Sequence, residues 1–312
     1  MNNYGDAYKN LLKNIAQEKN VDVASIQKRY VNERILGRLE NSKWANKFGL
    51  KGAMMIVFWN EGKSGRPTVD IDLFGNDDTE DDRAIDKIKE MVLDITSMSP
   101  QSEGGTLPYN DGLNFLQNTL SIKKDRDGIT SGGKVSIKAQ LGKSIIDVFI
   151  DVGFGNAITP DPKFAEFPSL LSDHKTKPLP KPKIMVYPAE TTIAEKFHAN
   201  VQFGLFNTRI RDYFDLYYLF ETQSFDNELL GQAIANTFRR QEREIPEELD
   251  GLSDFYVMDK EKDWDKYVKN TQLNFDTPSF EKVVETIRKK LEEPILIAKN
   301  ILENESKNAP KM

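Results

Sequence analysis

The residues best able to do chemistry are two aspartates set two positions apart, Asp70 and Asp72, in Arg66-Pro67-Thr68-Val69-Asp70-Ile71-Asp72-Leu73-Phe74. Read as a strand, this stretch sends Val69, Ile71 and Leu73 to one face and Thr68, Asp70 and Asp72 to the other. Alpha carbons two apart on a strand are about 7 Å apart, close enough for both carboxylates to converge on one divalent cation. Like charges so placed repel unless a cation or solvent compensates, so the pattern reads as a Mg²⁺ site or as a wet acidic face. A further carboxylate is available in Ile145-Ile146-Asp147-Val148-Phe149-Ile150-Asp151-Val152, where Asp147, Phe149 and Asp151 share a face. Beside the first pair it could complete a metal site and take a proton from an attacking hydroxyl. Alternation does not choose between Asp147 and Asp151, and either could instead be an exposed strand residue or a lysine's partner.

A second group of charged residues falls on two expected helices. From Tyr187-Pro188-Ala189-Glu190 to about Phe203, with Gly204 at its end, Ile193, Phe197 and Val201 form an apolar stripe. Lys196 lies one turn from Thr192 and Asn200 on a more polar side, where it could neutralise a triphosphate or simply meet solvent. The next helix, Thr208 to Phe220, carries Arg209, Arg211, Asp212 and Asp215. Arg209 and Asp212 are three apart and Arg211 and Asp215 four, a spacing that suits ion pairs within the helix.

These residues need a scaffold, and the rest of the chain supplies one. Residues 1–48 read as helical, with Ile26, Tyr30, Val31, Ile35 and Leu39 inward and Glu33, Arg34 and Arg38 between them. Leu50-Lys51-Gly52-Ala53 leads into an apolar helix, Met54 to Trp59, and a polar turn, Glu61 to Gly65. A glycine at a helix start lets backbone N–H groups approach an anion. The acidic run Asn76 to Asp82 reads as a solvated loop and helix start, and Ala84 to Met98 as an amphipathic helix. Strands follow from Leu113 to Ile122 and from Lys134 to Leu141, which turns at Gly142-Lys143 into the Asp147/Asp151 strand. Seven of the fourteen prolines lie between 158 and 188, which predicts an extended crossing between two domains. Lys175, Lys177, Lys181 and Lys183 in that segment form a basic strip, either solubilising or able to track a nucleic-acid backbone. Leu229 to Phe238, then Trp264 and Tyr267, then Phe280 to Leu291, read as packing helices. Ser306 to Met312 reads as a loose tail.

At 312 residues with 38% hydrophobic content the chain can bury a substantial core. A net charge of −6 gives no global basic footprint, so any nucleic-acid contact must be local. The absence of cysteine excludes disulfides, thiolate zinc sites and a cysteine nucleophile. The polar N-terminus and the lack of any membrane-length apolar run lead us to expect a cytoplasmic protein without membrane association.

The order glycine-bearing helix start, turn, Asp-x-Asp strand resembles that of DNA polymerase beta-type nucleotidyltransferases, with Gly52-Ala53 where those often have Gly-Ser. Six motifs together narrow the resemblance: Leu50-Lys51-Gly52-Ala53, Arg66-x-Thr68-x-Asp70-x-Asp72-Leu73, Asp111-Gly112-Leu113-x-Phe115, Ile150-Asp151-Val152-Gly153-Phe154-Gly155, Tyr187-x-x-Glu190-Thr191-x-x-Ala194-Glu195-Lys196, and Arg209-x-Arg211-Asp212-x-x-Asp215-Leu216. In this order, over roughly residues 29–260, they resemble the AbiEii/AbiGii family of nucleotidyltransferase toxins, which includes the MenT toxins.

The resemblance implies an α+β (mixed α/β) fold: a nucleotidyltransferase domain with a mixed sheet and helices, expected at 1–175, and a mostly helical domain, 176–312, closing the nucleotide cleft of a bilobed molecule. It implies Asp70, Asp72 and Asp151 as Mg²⁺ ligands, favouring Asp151 over Asp147. Asp70, Asp72, Asp151, Lys196 and Asp212 would be the catalytic set, with Asp212 a base or the orienter of Lys196 and Asp215 structural. Lys51, Gly52, Ala53, Arg66, Thr68, Lys196, Arg209 and Arg211 would bind the NTP. The implied reaction moves a nucleoside monophosphate from an NTP to an RNA acceptor, the tRNA 3′ end in the MenT branch, and stops translation. The implied partner is an AbiEi-type antitoxin, encoded nearby and acting without a stable complex. Arg211 stands where the family often has lysine and Asn156 where it often has aspartate. Transfer to a protein side chain or a small molecule, or an inactive nucleotide-binding module, are the alternatives.

Overall fold

The computed structural model describes residues 4–62, 66, 70–76, 81–125, 131–271, 273 and 275–308. It divides into two compact units, one of Met1–Ser64, Thr68–Gly155 and Lys163–Val186, the other of Gly65–Pro67, Asn156–Pro162 and Tyr187–Met312.

The first unit is built on a mixed seven-stranded sheet. Helices α1 (Tyr4–Glu18) and α2 (Val23–Glu40) open it, followed by β1 (Phe48–Lys51), the short α3 (Met54–Trp59), β2 (Ile71–Gly75) and α4 (Asp81–Ser97). Then come β3 (Leu113–Lys124), β4 (Gly132–Leu141), β5 (Ser144–Gly153), β6 (Lys163–Glu166) and β7 (Lys183–Val186), in the spatial order β3-β4-β5-β2-β1-β7-β6. The β4–β5 hairpin turns at Gly142-Lys143, where Gly142 takes φ +59°, a conformation that costs glycine little. β2 lies at the centre, parallel to β5 and antiparallel to β1. Its Ile71, Leu73 and Phe74 are fully buried. The strand starts at Ile71 and not at Arg66; Asp70 stands exposed in a bend before it, and Pro67, Thr68 and Val69 lie outside the described residues, as do Asp77 to Glu80 of the acidic run.

Two features of this unit go beyond what the spacing shows. The charged residues set between the apolar positions of α2, Glu33, Arg34 and Arg38, are themselves buried. Arg38 grips Asp111 with two hydrogen bonds of 2.9 and 3.0 Å, donates to the carbonyls of Ile95, Met98 and Leu113, and lies 5.0 Å from the centre of the Phe115 ring. The burial of the Arg38 guanidinium is tolerable because each of its five N–H groups meets an acceptor. The proline-rich stretch is not a free crossing. Phe167, Leu171 and Leu179 are buried, Arg34 donates to Ser169 Oγ and the Pro180 carbonyl, and Glu33 accepts from the Leu170 N–H. The segment therefore belongs to the sheet unit through Val186, past the expected boundary at 175, and Lys177 lies 4.8 Å from the Tyr4 ring.

The second unit is helical: α5 (Ala189–Phe203), α6 (Ile210–Thr222), α7 (Asn227–Arg240), α8 (Asp254–Asn270) and α9 (Phe280–Asn308). Its core gathers Ile193, Phe197, Phe214, Leu219, Ile234, Phe238, Trp264, Phe280, Val284 and Ile287. Asp226 and Ser253 cap α7 and α8 by accepting from N–H groups three residues on. Of the expected loose tail, Ser306 to Asn308 belong to α9, and residues 309–312 lie outside the described residues. No helix among the described residues is long and apolar enough to cross a membrane.

Candidate active site

In the sheet unit, strand register sets the carboxylates. Asp72 and Asp151 are directly paired across the parallel β2–β5 ladder, Lys51 is paired to Asp72 on β1, and Lys134 to Asp151 on β4. One row of the sheet thus reads Lys134, Asp151, Asp72, Lys51, with two carboxylates at its middle and a cation at each end. Burial, then the Asp72 charge, push the Asp151 carboxyl above its ordinary range, with Lys134 and Lys51 pulling the other way. Asp147 sits four residues back on β5, 60% exposed and 3.8 Å from Lys138. Register therefore puts Asp151 beside Asp72, and Asp147 about 13 Å away along the strand.

Gly52 and Ala53 pack against the same aspartate. Gly52 takes φ +68°, and a β-carbon there would run into the Asp72 carboxylate. The Ala53 N–H donates to Asp72 Oδ2 at 3.4 Å. This turn, read in the sequence as a cradle for phosphate, holds a carboxylate in place. Among the described residues no group of three or more His, Asp or Glu side chains is placed to hold a metal ion, and Asp70 stands exposed in the bend just before the strand. The pair suits Mg²⁺ all the same, because that ion is commonly held by one or two carboxylates together with substrate phosphates.

In the helical unit a chain of alternating charges runs through α5 and α6. Lys196 Nζ lies 2.5 Å from Asp212 Oδ1 and 2.9 Å from Asp215 Oδ2. Asp215, fully buried, accepts from Arg66 Nε at 2.7 Å and from a terminal guanidinium nitrogen at 2.8 Å. Arg209 Nε donates to Asp212 Oδ2 at 2.6 Å, as its spacing predicts, whereas Asp215 faces Arg66 and Lys196 instead of Arg211. Arg211 is exposed and has no ion-pair partner among the described residues. Burial opposes the charge on Asp212, but Lys196 and Arg209 outweigh it and hold the carboxyl at about 2. Burial likewise opposes charge on Lys196 and Asp215, and in each the facing opposite charges win, so that Lys196 is raised and Asp215 lowered. The result is a lysine locked in its protonated form and aimed by two carboxylates.

Sequence reasoning missed the support around this lysine. Glu195 accepts from the Tyr187 hydroxyl and from Asn156 Nδ2, both at 2.6 Å, and Thr191 Oγ1 exchanges hydrogen bonds of 2.8 Å with the backbone of Thr159. The Asn156 amide donates to Glu195, where an aspartate would face it with a second negative charge. Lys134 was missed too, although the two-residue turn at Gly142-Lys143 fixes its pairing with Asp151. His198 is buried and held neutral, its imidazole pushed down to about 4 by burial and by Arg243.

Comparisons with known proteins bear on the family and the fold. No curated protein matches the chain. Among solved structures, the nucleotidyltransferase toxin MenT4 of Mycobacterium tuberculosis is 15% identical and is aligned over 94% of this chain and 98% of its own, with a TM-score of 0.53. JHP933 of Helicobacter pylori is 14% identical over 91% of this chain and 95% of its own, with a TM-score of 0.46. The model for the nucleotidyl transferase AbiEii toxin of type IV toxin–antitoxin systems matches residues 34–286. That span takes in the carboxylate row and the charge chain around Lys196, and it makes this chain a member of the AbiEii family of nucleotidyltransferase toxins.

Proposed function

We propose that the chain transfers a nucleoside monophosphate from an NTP to the 3′ end of an RNA, a tRNA, with Mg²⁺ as cofactor, and so blocks translation in the cytoplasm. An AbiEi-type antitoxin encoded nearby, acting without a stable complex, would oppose it. The observation that carries this reading is the pairing of Asp72 with Asp151, two carboxylates side by side on neighbouring strands. A divalent cation bound there would offset charge on the triphosphate and align the attack. The acceptor hydroxyl oxygen forms a bond to the α-phosphorus, the bond from that phosphorus to the bridging oxygen breaks, and pyrophosphate leaves. Asp151, beside the cation and the incoming hydroxyl, would be placed to receive the hydroxyl proton. Asp212, held at about 2, is a poor base and acts as the orienter of Lys196, whose fixed charge would bind the nucleotide phosphates. Gly52, Ala53, Lys51, Thr68, Arg66, Arg209 and Arg211 complete the proposed nucleotide contacts. Arg66 and Arg209 act chiefly by holding Asp215 and Asp212, whereas Arg211 is free to meet a phosphate.

The test incubates the protein with each α-labelled NTP, Mg²⁺ and total RNA, beside an Asp70→Ala, Asp72→Ala double variant. Label in a tRNA-sized band with the intact protein alone is the expected result. Label in protein or in a small molecule would move the acceptor elsewhere. No label at all, with toxicity unaffected by the double variant, would leave only a nucleotide-binding role.

A further inference from the structure

The face of the sheet that carries Asp151 continues past the carboxylate row across β5, β4 and β3, and the chemistry above does not use that stretch. Val135, Ile137, Ala139, Val148 and Ile150 are buried on the side where Ile85 and Ile88 of α4 reach Gly133. On the opposite side of β3, β4 and β5 the side chains meet solvent. Phe149 is 42% exposed there, and apart from Ile145 it is the only large exposed apolar side chain of those strands. Its paired neighbour across the ladder is Ser136, and beyond that Ser121, small side chains that leave the ring face open.

Lysines line the same face. Lys123 and Lys134 are directly opposed on β3 and β4, a like-charge pairing that costs energy unless an anion offsets it. Lys134 lies 3.8 Å from Asp125 and 3.9 Å from Asp151, and Lys138 lies 3.8 Å from Asp147. These are long contacts made by well-exposed lysines, worth little, and the ammonium groups can turn from them to a stronger anion. Two exposed apolar side chains are too few for the core of a stable protein interface. An open aromatic ring among lysines on a bare sheet face is instead suited to single-stranded RNA, with a base stacked on the ring and phosphates along the cations.

Resting on the reading of RNA as acceptor, we propose that the bare face of β3, β4 and β5 seats the acceptor's single-stranded 3′ end, with a base on Phe149 and phosphates over Lys123, Lys134 and Lys138. Phe149 is two residues from Asp151, about 7 Å along the strand. A base stacked there brings its own ribose up to the carboxylate row.

The experiment measures anisotropy of a fluorescein-labelled 12-nucleotide single-stranded RNA with a free 3′ hydroxyl, titrated with the full chain at several salt concentrations. Phe149→Ala is expected to weaken binding about 5- to 100-fold, and Phe149→Trp to restore it with its fluorescence quenched by RNA. Lys123→Ala with Lys138→Ala is expected to lower the slope of log affinity against log salt by about 0.7 for each lysine. Nucleotide binding, followed calorimetrically in the same proteins, stays unchanged and reports intact folding. Unchanged RNA affinity in Phe149→Ala, with an unchanged salt slope in the lysine variant, would overturn the platform while leaving transfer to RNA standing. Transfer of label to protein or small molecule, with no RNA binding by the intact chain, would sink both.

Discussion

Asp212→Asn offers a perturbation whose size follows from the geometry. The carboxyl falls from an ordinary 3.8 to about 2 because Lys196 and Arg209 hold it at 2.5 and 2.6 Å, and the side chain is only 10% exposed. A drop of just under two pH units, at 1.36 kcal/mol each, corresponds to about 2 kcal/mol of stability at neutral pH. The folded value lies below the unfolded one, so this stabilisation is present above about pH 4 and is lost as pH falls through 2, about half remaining at pH 3. Asparagine keeps the shape and removes the charge. Urea unfolding followed by far-ultraviolet circular dichroism should show the variant about 2 kcal/mol less stable at pH 7, with the gap between variant and parent narrowing by roughly half at pH 3. A gap that is absent at neutral pH, or that is the same at pH 3, would show that Asp212 is not held by these cations in the way the distances imply.

Other outcomes are equally specific. Asp151→Asn and Asp72→Asn should each abolish transfer while leaving thermal stability unchanged or slightly raised, because each removes one of two facing like charges; a melting curve beside a labelling assay checks both. Asp147→Ala should keep near-parental transfer, since that carboxylate is 60% exposed and pairs with Lys138; a loss of a hundredfold would put the third carboxylate in the wrong place. Gly52→Ala should cost about 1–3 kcal/mol and most activity, from positive φ and collision with the Asp72 carboxylate, both readable in a denaturant titration and in labelling. Arg38→Met should cost about 3–5 kcal/mol by leaving Asp111 buried and unpaired, and a fall in melting temperature of under 2 °C would refute that role.

What could be read from the chain alone follows the reach of each physical signal. The hairpin turning at Gly142-Lys143, the α5 helix ending at Gly204 and the Arg209–Asp212 pair all depend on residues within a few positions, and period and turn chemistry suffice for them. Asp151 facing Asp72 depends on a parallel pairing between strands some eighty residues apart, which alternation cannot register. The buried charges of α2 were invisible for a related reason. Arg38 looks like a solvated residue until Asp111 and three carbonyls arrive from elsewhere in the chain, and only their arrival makes its burial tolerable. The proline-rich stretch misled because proline marks extended backbone without saying what that backbone packs against.

The Arg38 clamp also bears on how relatives of this chain should be sorted. Asp111 and Phe115 stand in one of the stretches that carry the resemblance to the family, and here both serve to hold one buried guanidinium. Tyr187 and Glu195, joined through Asn156, are a second such pair. A homologue could lose Asp72 or Lys196, keep these architectural signatures, and still be gathered by any family profile while catalysing nothing. A census of working enzymes would score the carboxylate row and the lysine separately from the positions that hold the fold together.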